Sequence, residues 1–416
     1  MNIRYNILVN RYITLFILIA LTILLSGSIL HSGSVRGVTD RMIKIGVLLD
    51  QTGPTAGDIA LPATRAIRNY TQHINDSGGI MGRKFKLIVE DDRYSIPAGL
   101  AAFKKLIFKD KVFALVGPAC TGEAKILISH IEKQRVPNIT GAPAKVMIEP
   151  IRRHIFLPFN IYEDQLGVIF DYIINDIKPK RLVLTFVYFD SESGKAAHKA
   201  TKKWAKYYSL HFNTEIIQMG ALDAASQVMS IKRKKTTFII IHHTSPSTVA
   251  LLRDLKKFGM NIPVYGTLPT CAEDTVRMGG NASKNYVGIH GFSSWNDDSE
   301  GMENIRKITL KYKPDIGKVG RNRFYTTGWI FSTVLYEGIR RSGKEINIKK
   351  LITSIETIRD YDTKGVVGPI TFSPTNHKGL DYCKLYRANP EEGKLVPITG
   401  WRKAPAKKEG TVSYNE

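Results

Sequence analysis

The chain has 416 residues, 43% of them hydrophobic and 23% charged, enough for two domains of ordinary size, each with its own buried core; this excludes a single small module. Its 60 Lys and Arg against 37 Asp and Glu give a formal charge of +23, but the cations are spread along the chain. The one dense cluster, Lys232-Arg233-Lys234-Lys235, lacks interleaved aromatics, so it reads as solvated surface charge, with an anionic surface as the alternative partner and no nucleic acid expected.

The amino terminus places Arg4 and Arg11 ahead of an apolar run from Tyr12 to Leu30, the pattern of an export signal. Residues 1–34 are therefore read as a signal peptide or an N-terminal membrane anchor, with Ser26, Ser28, Ser32 and Ser34 offering cleavage sites. No second apolar stretch of membrane length follows, so a water-soluble, periplasmic or extracytoplasmic body is expected. Cys120, Cys271 and Cys383 form no CxxC or metal-type spacing and are expected as structural or free thiols.

From Ile43 onward short β-branched runs alternate with longer helical patterns, the signature of βαβ units around a parallel sheet. Ile43 to Asp50 reads as a first strand, Ile59 to Asn75 as an amphipathic helix, Lys84 to Glu90 as a strand and Pro97 to Phe108 as a helix. The strand Val112 to Val116, the helix Glu123 to Gln134 and the strand Pro137 to Thr140 complete a first Rossmann-like lobe by about Asn160. The alternation restarts with the helix Gln165 to Ile177, the strand Arg181 to Tyr188, the helix Gly194 to Ser209, and the strands Thr214 to Gln218 and Thr237 to His242. The helix Ser247 to Phe258 and the strand Pro263 to Tyr265 close that series. Two further helices, Met302 to Tyr312 and Phe324 to Ser342, precede a hairpin-like tail from Gly365 to Trp401.

Several stretches together resemble the type I periplasmic binding proteins, in particular the leucine/isoleucine/valine-binding branch that serves ABC importers. They are Ile43-Lys44-Ile45-Gly46 with Thr52-Gly53-Pro54, Ile74-Asn75 through Gly78-Gly79-Ile80-Met81-Gly82-Arg83, Glu90-Asp91-Asp92, Lys111 to Pro118, and Val366-Val367-Gly368-Pro369-Ile370. The resemblance implies an α/β fold of two Rossmann-like lobes with parallel-rich central sheets joined by a three-crossing hinge near Asn160, Phe292 and Val367. The expected organisation is residues 43–160 plus 293–367 in lobe 1, 161–292 plus 368–402 in lobe 2, and a flexible tail at 403–416. It further implies closure of the lobes on a small polar ligand, an amino acid or a related carboxylate or amide, and delivery to a membrane permease by a monomeric, non-enzymatic receptor.

Gly117-Pro118-Ala119-Cys120-Thr121-Gly122-Glu123 leaves a strand and opens a helix, and ligands in open α/β sheets bind at the carboxyl ends of the strands. Free N–H groups there and the helix dipole favour a carboxylate, and Thr121 falls on the ligand-binding serine of the resembled family, which brings Cys120, Thr121 and Gly122 into the expected site. A threonine before a helix also serves as a plain N-cap. The next loop supplies Ala142 and Ala144, where the family uses a backbone carbonyl and a hydroxyl; Ala144 lacks that hydroxyl. In the second lobe Thr244 and Ser245 fall where the family places an aromatic ligand contact, and Tyr162 at the first crossing offers a ring to stack on the ligand. Leu268 stands where amino-acid-binding members place the acid that neutralises the ligand ammonium. An unpaired buried ammonium is costly, so Asp50, Asp58, Glu163 and Asp164 are the substitutes to consider.

No cofactor and no metal are expected: His242 and His243 are neighbours on a strand and point to opposite faces. An enzyme would need a nucleophile beside a base, and Cys120 and His130, ten residues apart on one helix, are separated by about 15 Å of rise. The alternative from another class is a membrane-tethered sensor that uses the same lobes to report to a signalling partner.

Overall fold

The computed structural model describes residues 35–406 apart from 314, 316 and 318–320. The expected signal or anchor at 1–34 and most of the expected flexible tail lie outside the described residues.

Strand β1 (Met42–Leu49) leads through a turn into helix α1 (Leu61–Asp76), and β2 (Lys84–Asp91) into α2 (Ile96–Lys104). Strand β3 (Ala114–Val116), helix α3 (Thr121–Gln134), β4 (Asn138–Ile139) and β5 (Ile155–Phe156) follow. These five strands form a wholly parallel sheet in the order β2-β1-β3-β4-β5. The chain then makes α4 (Tyr162–Asp171), β6 (Leu184–Tyr188), α5 (Glu192–Tyr207), β7 (Phe212–Ile216), α6 (Ala225–Arg233), β8 (Phe238–His242) and α7 (Ser245–Lys257). After β9 (Val264–Gly266) come α8 (Glu273–Gly279) and β10 (Tyr286–His290), then three helices, α9 (Glu300–Tyr312), α10 (Arg323–Ser342) and α11 (Ile348–Glu356). A terminal hairpin, β11 (Tyr382–Asn389) and β12 (Lys394–Pro397), with the short β13 (Arg402–Lys403) beside β11, completes the second sheet in the order β12-β11-β10-β9-β8-β6-β7. Its central strands are parallel and the hairpin runs antiparallel to them.

Local chemistry places several helix starts. Ser191, Ser299 and Asn347 accept hydrogen bonds from Gly194, Met302 and Lys350 backbone N–H groups, and the Asn322 side chain does so for Phe324 and Tyr325 at the start of α10. Helix α10 buries most of its residues because it lies between α1, α11 and the interlobe cleft. The sequence reading does not include the short elements β5, α6, α8, β10 and α11.

The first core gathers β1 to β5, α1 to α3 and α9 to α11, and the second lobe holds two clusters on the two faces of its sheet. Phe159 belongs to the first core and Tyr162 to the second lobe, Ile289 to the second and Phe292 to the first. The third crossing corrects the expected boundary near Val367. Ile370, Phe372 and Leu380 pack in the first core, and the second lobe is entered at Cys383. The reason is local: Phe372 meets Phe156 edge-on, His377 stacks on Phe156 at 4.1 Å, and Leu157 and His377 share a backbone hydrogen bond. The start of the expected free tail is also tied down, since Lys403 pairs with Tyr382 and Ala404 packs against the second lobe.

Helices α1 and α10 approach most closely at Gly328, where an added Cβ would stand 2.1 Å from the Ala63 carbonyl oxygen. Gly328→Ala is expected to cost about 1–3 kcal/mol through overpacking and to lower the thermal midpoint by several degrees, read by calorimetry. An unchanged midpoint would show that the two helices have room to separate.

Candidate functional site

The carboxyl ends of the two sheets face each other, and between them lies a cavity of about 60 Å³. Leu49, Ile59, Ala60, Ala63, Phe159, Phe324 and Phe331 from the first lobe and Leu268 and Pro269 from the second make most of its wall. Its polar side chains are hydroxyls and one imidazole: Thr55, Tyr94, Thr121, Tyr162, Ser193, Thr244, Thr327 and His243. Among the described residues, no Asp, Glu, Lys or Arg lines it.

Thr121 opens α3, whose first turn carries no side-chain cap, so the N–H groups there have no partner within the helix. Its Oγ1 lies 3.4 Å from the Tyr162 hydroxyl, which reaches across from the second lobe. The Tyr94 and Ser193 hydroxyls face each other on the same side. Burial pushes the Tyr94 and Tyr162 phenols up, so both keep their protons and are hydrogen-bond donors at neutral pH. The hydroxyls of Thr121, Tyr162, Tyr94 and Ser193 form a neutral, donor-bearing side of the cavity, with the start of α3 behind Thr121, while the Gly122 and Glu123 N–H groups face the Cys120 sulfur. The remaining wall is a dry apolar pocket.

His243 lies in the wall as the neutral imidazole. Burial lowers it to about 4, its Nδ1 accepts from the Thr244 N–H at 2.9 Å, and its Nε2–H donates to the Ile217 carbonyl at 2.9 Å. His242, lowered to about 3 by burial, faces the other way, with Nδ1 2.8 Å from the Thr267 hydroxyl and its ring edge-on to Tyr162. The two imidazoles hydrogen-bond different partners, although both rings pack against Phe189.

Of the nine positions expected in the site, Thr121, Tyr162, Thr244 and Leu268 line the cavity. Cys120, Gly122, Ala142, Ala144 and Ser245 lie outside its wall. Cys120 sits at the helix cap, and burial raises its thiol to about 11, which leaves little thiolate. Gly122 faces Glu192 and Ile96. The Ala142 carbonyl is taken by the Ala144 N–H at 2.9 Å, and Ala144 packs in the second lobe's core. Ser245 turns its hydroxyl toward Asp58. All three cysteines are free and buried.

None of the four acids considered as ammonium partners lines the cavity. Asp50 accepts from Gly53 and Thr55, Glu163 pairs with Lys203, and Asp164 pairs with Lys378 at 2.7 Å. Asp58 lies next to the cavity-lining Ile59, with its Oδ2 shielded from solvent and only the Ser245 hydroxyl turned toward it. The sequence reading missed Tyr94, Ser193, His243 and the phenylalanines Phe159, Phe324 and Phe331. Two signals point to some of them: Tyr94 follows the carboxyl end of β2, and Phe324 and Phe331 are seven residues apart on one helix face.

The lobes also meet through α10. Arg323 has no exposed surface; its guanidinium lies 3.8 Å from the Tyr386 ring centroid, and Nη2 is 3.6 Å from Glu273 Oε1. The Arg323 N–H donates to Glu273 Oε2 at 3.0 Å, and Asn322 donates to Asp274 at 2.9 Å and to the Asp58 carbonyl at 2.7 Å.

Asp58 supplies a pH test of closure. Burial pushes it up to about 6; the Ser245 hydrogen bond opposes this, and the nearby Asp274 and then Asp50 charges add smaller upward pushes. A carboxyl raised in the folded state stabilises that state while protonated and loses this contribution as pH rises from about 4 through 6. Asp58→Asn is therefore expected to raise the thermal midpoint at pH 7.5 by roughly 3 °C while leaving it nearly unchanged at pH 4. An equal effect at both pH values would contradict this.

A family profile described as "Periplasmic binding protein" matches residues 42–394. The Leu/Ile/Val-binding protein BraC3 of Rhizobium johnstonii is 22% identical over 358 residues, covering 85% of this chain and 93% of that protein. Plant relatives match as well, and the chain spans about a third (34%) of the length of glutamate receptor 2.6 of Arabidopsis thaliana. The structure of a branched-chain amino acid ABC transporter protein from Thermus thermophilus with bound valine superposes with a TM-score of 0.81 at 21% identity, covering 88% of this chain and 97% of that one. A fatty acid ABC transporter substrate-binding protein from Thermomonospora curvata gives a TM-score of 0.78 at 18% identity, covering 89% and 94%. With two parallel-rich α/β lobes facing each other across a lined cleft and a profile match over most of its length, the chain belongs to the periplasmic binding protein family.

Proposed function

We propose that the protein is the exported receptor of an ABC importer, and that its ligand is an apolar carboxylate without an ammonium group, an aliphatic or aromatic acid handed to a membrane permease. The observation that carries the ligand class is Leu268, a hydrocarbon side chain in the cavity wall where an ammonium would need an anion, with no other acid lining the space. A transferred ammonium without a partner costs several kcal/mol, whereas a methylene against this wall gains about 0.8 kcal/mol. The carboxylate would be held by the start of α3, Thr121 and the phenols, and the hydrocarbon by Leu49, Phe324, Phe331 and Leu268.

A thermal-shift screen of the chain lacking residues 1–34 tests this reading, since a ligand that binds only the folded state raises its midpoint by mass action. Aliphatic and aromatic carboxylates are expected to raise it, and leucine, isoleucine and valine are not. Thr121→Ala should weaken a carboxylate ligand by about ten-fold or more, as a hydrogen bond to a charged group contributes roughly 1.5–3 kcal/mol. Leu268→Glu should reverse the preference toward the amino acids. A wild-type shift with the branched-chain amino acids alone would overturn the ligand class.

A further inference from the structure

The carboxyl ends of β1, β2 and β3, three adjacent strands of the first sheet, bring four acids together. Asp50 follows β1, Asp91 ends β2 and Asp92 comes next, while Glu123 stands in the first turn of α3 after β3. Carboxylate oxygens of Asp50, Asp91 and Asp92 all lie within 4.8 Å of one another. Oxygens on opposite sides of a calcium ion, each 2.3–2.6 Å from it, stand up to about 5 Å apart, so this spacing suits one such ion.

Glu123 gives the independent observation. It has 0% exposed surface, no N–H or hydroxyl among the described residues donates to either carboxyl oxygen, and the side chain faces only other acids, within hydrogen-bond reach of Asp92 and close to Asp50. The fold makes room for it: at Gly99 an added Cβ would lie 2.1 Å from Glu123 Oε1. Burial and then the Asp92 charge push the Glu123 carboxyl up to about 10, so without a cation it keeps its proton, and only a positive charge at this spot would let all four acids ionise together. Among the described residues no Lys or Arg pairs with Asp50, Asp92 or Glu123, and Asp91 has only the exposed Arg93, at 3.7 Å.

We propose that Asp50, Asp91, Asp92 and Glu123 bind a divalent cation of the calcium type, which ties the loops after β1, β2 and β3 together behind the start of α3. Hard, all-oxygen ligands with several negative charges favour calcium over softer metals. The site is separate from the cavity, since none of the four acids lines it.

The test uses the chain lacking residues 1–34, stripped with EDTA and titrated with calcium chloride by calorimetry, without any organic ligand. One equivalent is expected to bind, and terbium in its place should show tyrosine-sensitised emission through the neighbouring Tyr94, whose N–H donates to Asp92 at 2.8 Å. Glu123→Gln and Asp91→Asn should each weaken calcium by about ten-fold or more, and added calcium should raise the wild-type midpoint far more than that of either variant. Asp91 is partly exposed, so its variant decides the matter if Glu123→Gln does not fold. No heat and no terbium emission with 10 mM cation on a folded chain would overturn the proposal and leave Glu123 holding a proton shared with Asp92. Unchanged affinity in a folded Asp91→Asn would overturn it as well.

Discussion

Arg323 leaves the first turn of α10 in one lobe and lies over the Tyr386 ring of the other, with Glu273 as its counter-ion and no surface exposed to water. Burying a guanidinium costs several kcal/mol, and removing one partner of such a pair leaves an uncompensated charge. The closed placement of the lobes is thereby tied to a contact that works in one geometry. Glu273 also accepts from the Ser294 hydroxyl, and Asn322 bridges Asp274 and Asp58, so the same few residues set the relative position of α8, α10 and the loop after β1. Two of these elements also wall the cavity, the loop after β1 through Thr55 and Ile59 and α10 through Phe324, Thr327 and Phe331, so the site depends on the same placement of the lobes.

Inside that frame, charge has been kept out of the cavity and placed around it. The wall holds hydrocarbon and hydroxyl groups, and its histidine is held neutral by burial. The acids stand one layer back: Asp58, Glu273 with Arg323, and the cluster behind α3. Such a wall discriminates by what it leaves unpaired. A ligand bringing a positive group would find no anion, while a carboxylate meets oriented N–H and O–H donors that need little reorganisation.

Much of this was legible in the sequence because it is periodic. The β-branched runs at Ile43 and Thr237 and the long amphipathic helices at Ile59 and Phe324 declare themselves, and the loops that follow parallel strands are where ligands bind in such sheets. Thr121 stands in such a loop, and the family resemblance singled out both it and Leu268. What the sequence hid depends on contacts between distant segments. The stretch 368–380 carries no strong pattern, and its place in the first lobe rests on Phe372 and His377 meeting Phe156. Ser245 and Ala142 stand in the right loops, but one hydroxyl turns to Asp58 and the other residue's carbonyl is consumed within its own loop. Side-chain direction and local hydrogen-bond competition decide such cases, and neither has a one-dimensional signature. Glu123 is the reverse case, an ordinary helix-start acid in sequence that the fold buries beside three others.

The account turns on whether the cavity rejects an ammonium. The most direct measurement is a calorimetric titration of the same protein with a matched pair, leucine and 4-methylpentanoate, which share a carboxylate and a hydrocarbon body and differ by the amino group. The account expects the deaminated acid to bind at least about ten-fold more tightly, a difference of roughly 1.4 kcal/mol. Tighter binding of leucine would contradict it and show that an anion beyond the cavity wall reaches the ligand.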